Sequence, residues 1–134
     1  MIVRKEIFIK WSDMGQYSND EFLDALEVIS STIRKCEKIM PKFGERTSQN
    51  TLLKHRIKAM YISKTLIIKD GEIERYSKEE LIDELKPIRS VISKCETGQK
   101  KHEIETPPYK RFQKIIEAMN ISKSLITDEI NKRE

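Results

Sequence analysis

The chain has few of the residues that build disulfide-bonded, secreted or membrane-spanning proteins. Its two cysteines, Cys36 and Cys95, cannot make a disulfide framework. No apolar run approaches the length of about 18 residues that a transmembrane helix needs. Charged residues interrupt the N-terminal sequence MIVRKEIFIKW where a signal peptide has an apolar core. These absences predict a cytoplasmic protein with no membrane segment.

Charged residues are abundant instead. They make up 36% of the 134 residues, against 37% for the hydrophobic set. A chain of this length has enough apolar surface for one compact core and little to spare outside it. Residues 1–134 are therefore predicted to form a single domain.

The sequence contains two similar halves. Residues 17–70 align with residues 76–129 without a gap at a shift of 59, and 21 of the 54 aligned pairs are identical. An unbroken register over this length predicts a tandem duplication. Residues 1–16 are left as an N-terminal arm.

Each half carries the start signals of two helices. Ser18 and Ser77 are followed three residues later by Glu21 and Glu80, which is the spacing of a capping box. The first helix of each half then places apolar residues at alternating steps of three and four, as a bundle helix does. The four predicted N-cap residues are Ser18, Thr47, Ser77 and Thr106.

Two stacked helical hairpins predict an all-α, four-helix bundle. The second helix of each half has a wide apolar arc and is expected to be central, whereas Pro87 should bend the third helix without breaking it. All four glycines are expected outside the helices. Residues 2–11 alternate in polarity, which suggests a short extended strand, paired with Glu72–Tyr76 or with another protomer; a disordered arm is the alternative.

Basic residues cluster around the predicted turns between helices. Residues 34–58 hold eight bases and two acids, and residues 85–114 hold eight bases and three acids. In an antiparallel bundle both turns lie at one end, so that end is predicted to be basic and the opposite end acidic. Lys54 and Lys110 are expected in the first turns of helices, where the helix dipole disfavours a cation. A bound anion would explain them, and an ordinary solvated surface is the alternative.

The sequence therefore predicts anion-binding residues at this end. They are Lys42, Arg46, Lys54 and Lys58 in the first half, and Lys100, Lys101, Lys110 and Lys114 in the second.

Acidic pairs in both halves raise the alternative of a metal-dependent enzyme. Glu21-x-x-Asp24 and Glu80-x-x-Asp83 are similar in spacing to the magnesium-binding pairs of all-helical nucleotide pyrophosphohydrolases. A helical wheel places Asp24 opposite the apolar seam, however, and carboxylates that bind a metal inside a bundle must converge inward. No metal site is predicted from these pairs.

Histidine and cysteine offer no other catalytic arrangement. His55 and His102 lack the neighbouring ligands of a zinc or diiron site, and both are expected to be solvated. Cys36 and Cys95 fall on the apolar seams and are expected to pack as small buried residues.

The predicted function is a non-enzymatic helical binding module, without cofactor or metal, whose basic turns engage an anionic partner. That partner could be nucleic acid through its phosphates, a nucleotide, or an acidic protein surface. The alternative is a protein–protein adaptor or inhibitor, of the regulatory kind carried by phages or mobile elements, that binds through a helix face. A homodimer is also compatible with the sequence, since it would cover Trp11 and the wide apolar arcs of the second helices.

Overall fold

The computed structural model describes residues 17–133. Over this range the chain folds into four long helices joined by short connections, two of which contain 3-10 helices at Met40–Lys42 and Gly71–Arg75. The helices are α1 (Asn19–Ile39), α2 (Ser48–Ile67), α3 (Lys78–Gln99) and α4 (Pro107–Lys132). The prediction of an all-helical protein is confirmed for residues 17–133, where no strand occurs. The predicted strand at residues 2–11 lies outside this range.

The four predicted N-caps are confirmed. Ser18 and Ser77 each accept a hydrogen bond from the backbone N–H three residues later, and the Glu21 and Glu80 carboxylates accept the reciprocal bonds. Thr47 caps α2 in the same way through the N–H of Asn50. The fourth cap, Thr106, accepts from the N–H of Tyr109 at the start of α4. Each helix is therefore preceded by a residue whose side chain accepts a hydrogen bond from a backbone N–H that has no acceptor within the helix.

The helices form an antiparallel bundle in which α1 and α3 lie on opposite sides of a central pair. α2 and α4 contact each other across the bundle, and each also packs against both α1 and α3. This confirms that the second helices are central. Ser63 and Ser122 allow the close approach, since both are fully buried and donate their hydroxyls to carbonyls of their own helices.

Two expectations about local structure are wrong. Gly98 lies inside α3 rather than in the following turn. The position requires glycine because a Cβ there would stand 2.7 Å from the ring of Phe112. Glu72–Tyr76 is not a strand partner, because most of it belongs to the Gly71–Arg75 3-10 helix. Pro87 is buried and α3 continues through it, as predicted. None of the helices in residues 17–133 has the apolar length that crossing a bilayer requires.

Candidate functional site

The segment between the hairpins marks one end of the bundle. The Arg133 guanidinium, beyond the last turn of α4, donates hydrogen bonds to the backbone carbonyls of Ile73, at 2.8 Å, and Tyr76. Tyr17, just before α1, shares a hydrogen bond of 3.1 Å with Ser124 near the end of α4. Because each helix has at least 20 residues, or about 30 Å, the two inter-helix turns lie together at the opposite end. We call residues 40–47 and 100–106 the turn end.

Four predicted bases lie in the turn-end segments themselves. Lys42 ends the first 3-10 helix and Arg46 precedes the α2 cap, whereas Lys100 and Lys101 follow α3. All four are exposed, and none has a carboxylate of residues 17–133 within 4.0 Å. The turn end therefore presents cations that the described part of the chain does not neutralise.

The other four predicted bases lie on the helices next to the turn end. Lys54 is exposed without an ion pair to the described residues, and it lies in the second turn of α2, seven residues after the Thr47 cap, not in the first turn as expected. Lys110 lies in the first turn of α4, is exposed, and lies 3.4 Å from the Glu105 carboxylate. Lys58 points across to α3, where its ammonium lies 2.7 Å from Glu80. Lys114 lines a groove between α1 and α4. The structure thus groups the turn residues with Lys54 and Lys110, and places Lys58 and Lys114 at helix seams.

The Lys58–Glu80 contact shifts the pKa of both groups. The hydrogen bond from Lys58 lowers the pKa of the Glu80 carboxyl below its ordinary value, and the backbone N–H of Ser77 adds to this effect. The same hydrogen bond raises the pKa of Lys58. Glu80 therefore serves α3 twice, as its capping-box acid and as the partner of a cation on α2.

Exposed apolar side chains accompany the bases at the turn end. Ile104, in the second turn, is 71% exposed, and Ile39 and Leu52 are about 40% exposed at the adjoining ends of α1 and α2. The exposure of Leu52 differs from expectation, because Leu52 belongs to the wide apolar arc that was predicted to be buried in α2. Sequence reasoning missed these three residues as candidates for binding, although the isolated Ile104 among charged neighbours was a signal.

Packing around Phe112 fixes the second turn. Its ring lies against Gly98, and the imidazole of His102 stacks on it with ring centroids 6.0 Å apart. Gln99 donates to the Gln113 side chain at 2.7 Å and so ties the end of α3 to α4. Lys100 and Lys101 therefore project from a turn that side-chain contacts hold in place.

His55 and Glu84 form a pair that the sequence did not reveal. His55 is exposed, as expected, with 55% of its side chain accessible. Its Nδ1 nevertheless lies 2.9 Å from Glu84 Oε1, a contact that the sequence analysis did not predict. Glu84 is only 1% exposed, and its Oε2 has no hydrogen-bond partner among the described residues. A buried carboxylate on α3 thus depends on one imidazole from α2.

The two cysteines are buried, as predicted. Burial raises the pKa of both thiols above the ordinary value, and the nearby Arg56 guanidinium only partly opposes this effect. Protonated thiols are poor nucleophiles and poor metal ligands. This packing fits a structural role for both side chains.

Within residues 17–133, no group of three or more histidine, cysteine or acidic side chains has a geometry that could hold a metal ion. Asp24 and Asp83, the second members of the acidic pairs, are both exposed. Comparison of the chain with protein-family models, with curated proteins and with solved structures finds no match.

Proposed function

We propose that the protein is a non-enzymatic binding module that engages an anionic partner through its turn end. The observation that carries the proposal is a set of exposed bases at one end of the bundle that have no ion pair with the described residues. These bases are Lys42, Arg46, Lys54, Lys100 and Lys101. Unpaired cations of one sign attract anions and accelerate their association.

The exposed apolar residues favour an acidic protein surface over a free nucleotide. Ile104, Leu52 and Ile39 lie among the bases, and a partner that covers them must present apolar groups beside its carboxylates. Protein interfaces combine an apolar centre with a charged rim in this way. A duplex nucleic acid would contact the bases through its phosphates and leave the three apolar side chains uncovered.

We also propose that the two hairpins arose by tandem duplication, which would explain why both turns are basic. The same residue types cap corresponding helices at positions 59 apart. Ser63 and Ser122, again 59 apart, make the same hydrogen bond to the carbonyl four residues earlier. Each hairpin would then contribute one basic turn to a shared surface. The buried free thiols fit a reducing compartment, and we propose a cytoplasmic location.

The proposal is tested by reversing charge at one end of the bundle and then at the other. The turn-end variant is Lys54→Glu/Lys100→Glu/Lys101→Glu. The control variant, Lys69→Glu/Arg75→Glu/Lys132→Glu, makes the same change of net charge at the opposite end. Fluorescence anisotropy measures binding of four probes: polyglutamate, labelled single-stranded and duplex oligonucleotides, and a labelled ATP analogue.

We expect the turn-end variant to bind polyglutamate at least about tenfold more weakly, because each reversal replaces an attraction by a repulsion. The control should bind nearly as the wild type does, and all three proteins should melt alike. Equal weakening of both variants, or no binding of any probe by the wild type, would contradict the proposal. If an oligonucleotide binds instead, its affinity must fall steeply with salt for the contact to be phosphate-based.

A further inference from the structure

A groove between α1 and α4 separates acids from bases along its length. The groove is open and has a volume of about 490 Å³. The linker-side half of its rim is acidic and the turn-side half is basic. The acidic half holds Asp24, Glu27 and Glu117, and the basic half holds Lys35, Arg111 and Lys114.

The antiparallel packing of α1 and α4 produces this separation. Along α1 the charge changes from negative at Asp24 to positive at Lys35, moving towards the turn end. Along α4 it changes from positive at Arg111 to negative at Glu117, moving away from that end. Like charges from the two helices therefore lie level with each other. All six side chains are exposed, and none forms an ion pair with any of residues 17–133.

The seam between α2 and α3 is equivalent to this groove under the repeat shift of 59 residues, but its charged residues are arranged differently. Glu84 there corresponds to Ala25 in the groove, and its carboxylate meets His55 within the seam. Lys58 corresponds to Glu117 and pairs with Glu80 at 2.7 Å. The α2/α3 seam thus pairs two of its acids with side chains of the facing helix, whereas in the α1/α4 groove no acid is paired with a base of the facing helix.

The floor of the groove is apolar and made partly of small residues. Ala25 and Ala118 are 2% exposed, and Val28 and Ile115 are half-buried beside them. Small side chains at the floor allow an approaching helix to come close. An occupant must therefore be apolar at its centre and carry its own acids and bases in the order opposite to that of the groove.

We propose that the occupant is a second copy of this chain, bound antiparallel through the same groove. The two-fold axis lies in the interface, crosses the groove at right angles to its length and passes near Val28 and Ala118. It places the basic half of each copy on the acidic half of the other. A nucleic acid or a uniformly acidic peptide would meet repulsion along the acidic half. The two turn ends of such a dimer point in opposite directions, and both remain uncovered.

The dimer is tested with two charge-reversed variants that should each fail to self-associate but should bind each other. The base-reversed variant is Arg111→Glu/Lys114→Glu, and the acid-reversed variant is Asp24→Lys/Glu117→Lys. The matched control is Asp83→Lys/Lys94→Glu. It changes two exposed residues of α3 that occupy the positions equivalent to Asp24 and Lys35 of α1. Sedimentation equilibrium gives the dissociation constants, and native mass spectrometry identifies the mixed species.

We expect wild type and control to dimerise, and each reversed variant to do so at least about a hundredfold more weakly, since two sets of like charges then face each other. A one-to-one mixture of the reversed variants should form a heterodimer of near wild-type affinity. The proposal is overturned if the wild type stays monomeric up to millimolar concentration. It is also overturned if the reversed variants still dimerise alone, or if their mixture stays monomeric.

Discussion

Replacing His55 by alanine tests whether one imidazole stabilises the buried Glu84 carboxylate. The variant leaves a carboxylate that is 1% exposed without the only hydrogen-bond partner that it has among residues 17–133. Removing one partner of a fully buried ion pair costs about 3–5 kcal/mol, but 55% of the His55 side chain is exposed, so water can enter the space that it leaves. We expect a loss of about 2 kcal/mol in the free energy of unfolding.

The loss should appear as a melting temperature lower by about 6–8 °C for a domain of this size. Alanine forms helices better than histidine by about 0.5 kcal/mol, so the measured loss understates the interaction. Replacing Glu84 by leucine removes the charge itself and should change stability by no more than about 1 kcal/mol in either direction. In that background, His55→Ala should cost almost nothing.

Urea denaturation of the wild type, both single variants and the double variant gives the coupling energy directly. The matched control is Lys54→Ala, since Lys54 is the exposed neighbour of His55 on α2 and has no ion pair with the described residues. Its effect should stay within about 0.5 kcal/mol. A coupling energy below about 0.5 kcal/mol would refute the dependence of Glu84 on His55.

Two further predictions concern helix contacts. Because the pKa of Glu80 is lowered, the Lys58–Glu80 pair stabilises the fold above the ordinary glutamate pKa and loses this effect as pH falls through the lowered pKa. In Lys58→Met, the NMR-detected pKa of Glu80 should therefore rise, and the stability difference from wild type should shrink on acidification; an unchanged Glu80 titration would contradict the pair. Gly98→Ala should destabilise the wild type by about 1–2 kcal/mol, since the new Cβ would stand 2.7 Å from the Phe112 ring, but should stabilise a Phe112→Leu background through better helix propensity. Thermal melts of the four proteins check this, and the same sign in both backgrounds would show that the ring is not the obstacle.

Local signals predicted the helices well because they act within one turn of the chain. The capping boxes at Ser18 and Ser77 need only residues three positions apart, and the structure forms both. The apolar seam likewise depends on spacing within one helix, and its Ile29 and Ile88 are fully buried. Antiparallel packing of consecutive helices then follows from short connections.

Contacts between distant helices could not be read from the same patterns. On a wheel His55 belongs to a polar face, and nothing local shows that a buried carboxylate lies opposite it on α3. Lys58 carried the same signal as Lys54, yet among the described residues Lys58 has an acid across the seam and Lys54 has none. Gly98 was assigned to a turn because glycine is rare inside helices. The ring that requires glycine there, that of Phe112, belongs to the next helix and leaves no local signal.

The hydrogen bonds of Arg133 have a consequence for how the bundle opens. Terminal turns of helices usually fray first and independently of the rest of a protein. Here the guanidinium at the end of α4 holds carbonyls in the connection between the hairpins, and Glu129 holds the guanidinium in turn at 3.1 Å. Unravelling of this last turn would release the connection as well, so the two hairpins cannot begin to separate there without first loosening the C-terminal helix. Slow amide hydrogen exchange shared by both segments would be the signature of that cooperativity.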